Sequence, residues 1–251
     1  MEINPNSDSA NTNLGSILKD LKKFNEAELY HRKAIEINPN FSLAYVNLGN
    51  VLRELKKFQE AEMLKHLDLR YKNEIIRSME WLAEKDDTIF LGQAVNYSGN
   101  AMYNTTKTIS DEQKIELPVF EDVQMGMSLG MAYEGFVPIT SYPRFDFLIC
   151  AVNQLVNHVD KMTIISEGQY QPRIIIRTSI GSRIPLDAGE QHTQDHTQAF
   201  KNLLKRVHVV VLDEWHDVFP AFQHAYERQP VSKYDSLVTL LIEWGDHYNA
   251  K

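Results

Sequence analysis

The sequence has a single cysteine, no long apolar run and a shortage of positive charge. Cys150 cannot form a disulfide within the chain, which favours a reducing compartment and a cytoplasmic location. No run of about 18 apolar residues occurs, and the polar N-terminus is unlike a secretory signal, so no membrane association is expected. The net charge of −8 argues against nucleic acid or an anionic membrane as a partner.

The N-terminal part of the chain contains an internal repeat. NLGSILKDLKKFNEAE, starting at Asn13, returns as NLGNVLRELKKFQEAE, starting at Asn47, which is a period of 34 residues. This period, with small residues such as Gly15 and Ala27, resembles the tetratricopeptide repeat, whose unit is a pair of helices. The second copy decays after Glu62, so we expect about two incomplete repeats over residues 1–66. They either form a groove for a peptide partner or are a remnant that packs on the next domain, and we favour the remnant.

The remainder of the chain, residues 67–251, is typical of an α/β fold. Short runs rich in valine and isoleucine predict buried parallel strands. The candidate strands are Thr88–Leu91, Glu116–Phe120, Val137–Ser141, Arg173–Thr178, His208–Leu212 and Leu237–Glu243. The candidate helices are Lys72–Glu84, Val123–Glu134, Phe145–Lys161, Thr197–Lys205 and Val218–Arg228. Their alternation predicts a doubly wound parallel sheet, with ligands bound at the carboxyl ends of its strands and Gly181–Gln194 as the longest polar loop.

Four stretches of this second segment follow one another in the order of a known family. They are ELPVFEDVQMGMSLGMAYEGFVPI (Glu116–Ile139), RFDFLICAVNQLVNHVDKM (Arg144–Met162), SEGQYQPRIIIRTSIG (Ser166–Gly181) and GEQHTQ (Gly189–Gln194). Together they resemble the pyrimidine-binding domain of thiamine-diphosphate enzymes. The resemblance is to the beta subunit of the first component of 2-oxo acid dehydrogenase complexes, and more distantly to transketolase.

The resemblance implies roles for three residues. Glu121 matches the glutamate that hydrogen-bonds the N1′ nitrogen of the cofactor's aminopyrimidine and so activates it. The apolar neighbours of Glu121 in sequence, which are Val119, Phe120 and Met125, would favour the protonated carboxyl. Phe147 matches the aromatic residue that packs on the pyrimidine ring, and His192 matches a histidine that contacts the substrate or the developing oxyanion. From its spacing alone, Glu121 would be interpreted as a carboxylate at a helix N-terminus, where the helix dipole favours it. The surrounding motif favours the cofactor-binding role instead.

Two further features have plain structural readings. His192 and His196 form an H-x-x-x-H pair that would bind a metal only on a helix and with a third ligand, so no metal site is predicted. Cys150, within FLICAV, is expected to be a buried small apolar residue.

The loop before His192 departs from the glycine-rich pattern of the family, with Arg183, Pro185 and Asp187. Pro143 is a further departure beside the pyrimidine-site helix.

The resemblance also implies what the chain needs from elsewhere. Thiamine diphosphate is held through Mg²⁺ by a second domain, marked in the family by a G-D-G stretch followed by an asparagine, and this sequence contains no G-D-G. We therefore expect an alpha-like diphosphate-binding subunit as the partner, in a hetero-oligomer, with a homodimer as the other possibility. The predicted function is decarboxylation of a 2-oxo acid with acyl transfer, or transfer of a two-carbon unit. The alternative is a non-catalytic scaffold that uses the helical repeats.

Overall fold

The computed structural model describes residues 7–39, 41–55, 69–98, 100–183 and 187–249. The chain separates into two compact units, Met1–Arg70 with Asn249–Lys251, and Tyr71–Tyr248. Three sequence-based expectations lie outside the described residues: the second helix of the second repeat, a domain boundary between residues 66 and 67, and the place of Pro185.

The first unit is built from helices α1 (Asp8–Asp20), α2 (Phe24–Ile37) and α3 (Ser42–Glu54). The hydroxyl of Ser7 accepts a hydrogen bond from the Ala10 backbone N–H and so satisfies a free donor in the first turn of α1. Leu18, Ala27 and Val51, from the three helices in turn, form the buried core. The predicted helical segment is confirmed for these residues.

Gly15 is the point of closest approach between α1 and α2. A Cβ atom at this position would lie 2.7 Å from the imidazole ring of His31, a distance that real contacts do not reach. His31 is fully buried, and within the described residues neither of its ring nitrogens has a hydrogen-bond partner. Burial, with a smaller contribution from Lys19, lowers the pKa of His31 from 6.5 to about 4. The glycine thus makes room for a histidine that is held in its neutral form.

This depressed pKa predicts a pH-dependent stability of the first unit. Below pH 6.5 His31 becomes protonated in the unfolded chain, whereas in the folded chain it stays neutral until about pH 4. We expect His31 to cost the first unit about 3 kcal/mol of unfolding free energy as pH falls across this window, with no further loss below it. Urea unfolding of wild type and His31→Ala at several pH values checks this. The stability advantage of the wild type should shrink between pH 6.5 and 4, and a constant advantage would contradict the prediction.

The second unit is an α/β domain with one parallel sheet. The strands are β1 (Thr88–Gly92), β2 (Lys114–Glu116), β3 (Val137–Tyr142), β4 (Ile175–Ile180), β5 (His208–Val211) and β6 (Thr239–Trp244). The α-helices are α4 (Leu69–Ala83), α5 (Glu121–Tyr133), α6 (Phe145–Leu148), α7 (Val152–Gln154), α8 (Met162–Ile165), α9 (Thr197–Leu203) and α10 (Trp215–Glu227). The strand order is β2-β1-β3-β4-β6-β5, and every described pairing is parallel.

Helices cover both faces of this sheet. Ile176, Leu240 and Ile242 point to one face, where they pack with α5 and with α6. Ile175 and Leu241, their neighbours along the strands, point to the other face and pack with α4 and α10. Because successive strand residues alternate between faces, both sets must be apolar in a sheet that is covered twice. The doubly wound parallel fold predicted from the sequence is confirmed.

The second strand and the helix after it begin and end at other residues than predicted. The strand was expected over Glu116–Phe120, but β2 ends at Glu116, and α5 begins at Glu121 rather than at Val123. Pro118 explains the early end, because proline has no N–H to donate to a strand ladder. Glu121 is therefore the first residue of a helix, in agreement with the interpretation of its side chain as a carboxylate at a helix N-terminus.

The predicted helix Phe145–Lys161 is not regular. It runs as α6, a 3₁₀ turn at Ile149–Ala151, α7 and a π-helical turn at Leu155–Val159. Asp160 follows this turn, and its Oδ1 accepts three backbone N–H groups, from Lys205, Arg206 and Val207. This buried carboxylate fixes the end of the helix to the segment that precedes β5. Cys150 lies in the 3₁₀ turn and is exposed, so the expectation that it is buried was wrong.

Candidate active site

The sheet has a topological switch point between β1 and β3. The chain passes from β1 to β2 on one side of β1 and then returns to β3 on its other side. Loops leave β1 and β3 in opposite directions there, which opens a crevice at the carboxyl ends of the strands where ligands of doubly wound folds bind. Gln93, Glu121 and Tyr142 come from the segments that end at this edge.

Glu121 is buried and held from the β1 side of the crevice. Only 6% of the residue is exposed, and its Oε1 accepts a hydrogen bond of 2.9 Å from the side-chain amide of Gln93. The loop that carries Gln93 is fixed in turn by Glu116 at the end of β2, whose two carboxylate oxygens accept the backbone N–H groups of Ala94 and Asn96. Within the described residues no hydrogen bond reaches Oε2 of Glu121. One carboxylate oxygen is therefore anchored and the other is available.

Gly92 allows helix α5 and strand β3 to approach the end of β1. A Cβ at Gly92 would lie 2.3 Å from the carbonyl oxygen of Ser141 and 3.0 Å from the side-chain nitrogen of Gln124, and the φ angle is +144°. The Gln124 amide donates to the Thr140 hydroxyl and to the Ser141 carbonyl, which ties α5 to β3. This packing fixes the start of α5, and with it Glu121, against the sheet.

Tyr142, the last residue of β3, lies on the β3 side of the crevice. Its ring is buried, and its hydroxyl donates to the backbone carbonyl of Glu121 over 3.4 Å. Burial is the main cause that raises the pKa of Tyr142, and the carboxylates of Glu121 and Asp122 raise it further. The hydroxyl therefore stays protonated and remains a hydrogen-bond donor.

Phe147 and His192 are brought together by the fold. Their ring centroids lie 5.3 Å apart, although 45 residues separate them in the sequence. Phe147 belongs to α6, directly after β3, and His192 lies in a 3₁₀ turn, Glu190–His192, in the loop after β4. Both rings are half-buried.

The hydrogen bond of His192 indicates its tautomer. Nδ1 lies 2.6 Å from the carbonyl oxygen of Gln191, and because a carbonyl only accepts, Nδ1 carries the proton. In the neutral ring Nε2 then has a free lone pair and accepts a proton rather than donating one. The predicted role as a donor to an oxyanion consequently needs the protonated ring.

His196 does not pair with His192. It precedes α9, where its Nε2 lies 3.5 Å from Oδ1 of Asp146, while Oδ2 of Asp146 accepts the backbone N–H of Gln194. Asp146 thus links the loop of His192 to the turn of α6 that carries Phe147. In the part of the chain that the structure describes, no group of three potential ligands could hold a metal ion.

The surroundings of Glu121 are less apolar than its sequence neighbours suggested. Val119 and Phe120 are 76% and 59% exposed, so the expected enclosure of the carboxyl by these two residues was wrong for this chain by itself. Val123 is exposed as well. Met125, in contrast, is fully buried. Val119, Phe120 and Val123 form an exposed apolar rim beside the buried carboxylate.

Sequence reasoning missed Gln93, Glu116 and Arg144. The first two act through hydrogen bonds to residues 28 and 20 positions away, a relation that no local pattern records. Arg144 immediately precedes α6, and its Nη1 is buried with no partner in the described residues. The one signal for Arg144 was its place between Pro143 and the F-D-F stretch at the end of a predicted strand.

Comparison with known proteins agrees with both parts of the chain. Two family models, each described as tetratricopeptide repeat, match residues 9–41 and 32–63. The pyruvate dehydrogenase E1 component subunit beta of Gracilaria tenuistipitata var. liui is 31% identical over 116 residues, 44% of this chain and 35% of the relative. The mitochondrial protein of the same description from Saccharomyces cerevisiae is 28% identical over 121 residues, 46% of this chain and 32% of that protein.

A solved structure described as a split gene transketolase, inactive beta4 tetramer, aligns with a TM-score of 0.48 and 14% identity. The alignment covers 69% of this chain and 49% of that one. The chain spans about a third of the length of the curated relatives it matches. Within the described residues, no helix has the length and apolar content that crossing a bilayer requires. The chain thus joins tetratricopeptide repeats to an α/β domain that is similar to the beta subunit of pyruvate dehydrogenase E1.

Proposed function

We propose that the second unit is the beta-like, pyrimidine-binding part of a split thiamine-diphosphate enzyme. The enzyme would decarboxylate a 2-oxo acid with acyl transfer or transfer a two-carbon unit. A separate alpha-like subunit would hold the cofactor's diphosphate through Mg²⁺. The observation that carries this proposal is the carboxylate of Glu121, buried at the switch point. One of its oxygens is anchored by Gln93, and the other has no donor among the residues that the structure describes.

The residues of the crevice fit the pyrimidine end of this cofactor. The available oxygen of Glu121 is suited to a protonated or protonatable ring nitrogen, and the half-buried ring of Phe147 offers an apolar surface on which a heteroaromatic ring packs. When bound, thiamine diphosphate supplies the electron sink for breaking a carbon–carbon bond next to a carbonyl.

The chain's own residues orient the reactants and hold protons. Gln93 keeps the Glu121 carboxyl in one rotamer, so a proton shared at Oε2 stays directed into the crevice. His192, with Nδ1 engaged by Gln191, presents Nε2 to accept a proton from substrate or to return it. Tyr142, as a protonated hydroxyl bonded to the Glu121 carbonyl, fixes the first turn of α5.

The apolar rim supports the need for a second subunit. Val119, Phe120 and Val123 stand exposed next to a carboxyl that would work best away from water. A partner that covers this rim would bury the three side chains and exclude water from Glu121 at the same time. We therefore propose that the alpha-like subunit docks there and completes the site.

Purification of the tagged chain from its native host tests the proposal. Mass spectrometry should identify a co-purifying subunit that carries a G-D-G stretch followed by asparagine, and this association should weaken when Phe120→Glu places a charge in the apolar rim. Val231→Glu is a matched control, because Val231 is 96% exposed in the loop after α10. Recovery of no such subunit, by wild type or control, would contradict the proposal.

The tetratricopeptide repeats favour a second candidate function. Family models for this repeat match residues 9–63, and such repeats commonly present a groove to other proteins. The chain would then act as a scaffold, with the α/β domain as a non-catalytic module. In the same purification, partners would be retained by residues 1–66 and would be unaffected by Phe120→Glu.

A further inference from the structure

Arg144 combines a positive charge with a buried donor that has no acceptor among the described residues. The residue is half-buried, and its Nη1 is inaccessible to water and unpartnered within the described residues. No described carboxylate forms an ion pair with it. A buried N–H donor that lacks an acceptor is costly, and more so when it belongs to a charged group. An acceptor that is not part of this unit is therefore expected.

The place of Arg144 points to a ligand in the crevice. It lies two residues after β3, at the carboxyl edge of the sheet, and its carbonyl oxygen accepts the backbone N–H of Phe147. The preceding residue, Pro143, is fixed to β4 because its carbonyl oxygen accepts the Ser179 hydroxyl. Arg144 is thus held on a rigid turn together with the ring that contacts His192.

The charges around Arg144 explain why an anionic ligand would need it. Asp146, two residues after Arg144, adds a carboxyl group to the same turn, in a chain whose net charge is −8. Asp146 does not neutralise Arg144, because its two oxygens face His196 and the backbone N–H of Gln194. A 2-oxo acid approaching this edge would be repelled unless a cation receives its carboxylate.

We infer that Arg144 is a specificity-determining residue that binds the carboxylate of the substrate. The guanidinium fork matches the two oxygens of a carboxylate, which a lysine ammonium cannot do. This inference rests on the proposed function for the identity of the substrate, but the anion site itself needs neither cofactor nor partner. It selects acids over neutral carbonyl compounds of the same size.

Nuclear magnetic resonance of the arginine Nε–Hε groups tests the site in the full chain alone. The Arg144 resonance is assigned as the one that is missing from the spectrum of Arg144→Gln. In wild type its chemical shift should change saturably on titration with pyruvate. Pyruvamide, the neutral analogue of pyruvate, should leave the chemical shift unchanged. Inorganic phosphate should act only at higher concentration than pyruvate. Arg206→Gln removes the same charge beyond α9 and should leave the titration as in wild type. An unshifted resonance, or a preference for phosphate, would overturn the inference.

Kinetics of the complex with its partner provide the second readout. Arg144→Gln should raise KM for pyruvate roughly 10–100-fold and change kcat far less, as expected for a lost charged contact to substrate. The KM of Arg144→Lys, which keeps the charge, should lie between that of wild type and that of Arg144→Gln. If turnover depends on Glu121 while Arg144→Gln has wild-type KM, the inference fails and the proposed function stands. If the pyruvate titration succeeds in a chain that never supports turnover, the proposed function fails and the anion site stands.

Discussion

Glu121→Gln should lower kcat of the reconstituted enzyme by at least about 10²–10³-fold, the range for loss of a positioned acid or base. The glutamine keeps an oxygen for the hydrogen bond from Gln93 and nearly the same volume, so the fold and the anchored geometry are retained. What it loses is a carboxyl able to share a proton with a ring nitrogen. Affinity for the cofactor should change by less than about tenfold, because most binding contacts lie elsewhere. Steady-state turnover and calorimetric titration measure the two quantities.

Asp122→Asn is the control for this change. Asp122 occupies the next position of the same first turn, and its Oδ2 accepts a hydrogen bond from Gln154. Its replacement removes an equal charge from the helix N-terminus without touching the carboxyl in the crevice. If Asp122→Asn has a kcat close to that of wild type, the loss of kcat in Glu121→Gln is specific to the carboxyl of Glu121. Equal losses in both variants would mean that the charge at the helix end matters, and the assigned role of Glu121 would be wrong.

Glu243→Gln should destabilise the second unit by about 3–5 kcal/mol, because it leaves a buried arginine without its counter-ion. Arg177 and Glu243 are both fully buried, and two hydrogen bonds of 2.7 and 2.8 Å join them across β4 and β6. Burial alone would lower the pKa of Arg177, but the Glu243 carboxylate outweighs it and the pKa is raised. Tyr248 donates to the same carboxylate, so the variant weakens a network rather than one contact.

Urea unfolding followed by tryptophan fluorescence measures this loss, since Trp81, Trp215 and Trp244 all belong to the second unit. Glu74→Gln is the surface control: Glu74 pairs with Arg77, whose side chain is 60% exposed, and the expected cost is below about 1 kcal/mol. Adding Arg177→Met to Glu243→Gln should recover part of the loss, because the unpaired charge is removed. A loss for Glu243→Gln no larger than the control would contradict the prediction.

The sheet was predictable because its strands are buried on both faces. Runs such as Ile174–Ile176 have no polar alternation, which is typical of parallel strands between two layers of helices. The exceptions have local physical causes. Pro118 ended β2 early, and Asp160 fixed the end of an irregular helix through contacts 45 to 47 residues away. Cys150 looked buried in an apolar run, but it lies on the outer side of a 3₁₀ turn.

The candidate site was predictable only in part. Motif resemblance identified Glu121, Phe147 and His192, and the fold brings the last two into ring contact. Gln93 and Glu116 remained hidden because their importance depends on parallel pairing of β1 with β2, which places their segments at one edge. Arg144 was found only from the structure, because its buried Nη1 has no partner among the described residues. The sequence shows which residue types are present, whereas a site also depends on which polar groups lack a hydrogen-bond partner in the folded chain.

Calorimetric titration of thiamine diphosphate with Mg²⁺ into this chain, into its partner and into their mixture tests the account most directly. If the proposed function is right, the chain alone supplies only the pyrimidine end of the site and should bind the cofactor weakly or below detection. The mixture should bind it stoichiometrically. Glu121→Gln in the mixture should bind with similar affinity but without turnover. If the mixture binds no more tightly than the partner alone, the chain contributes nothing to the cofactor site and the proposed function is wrong.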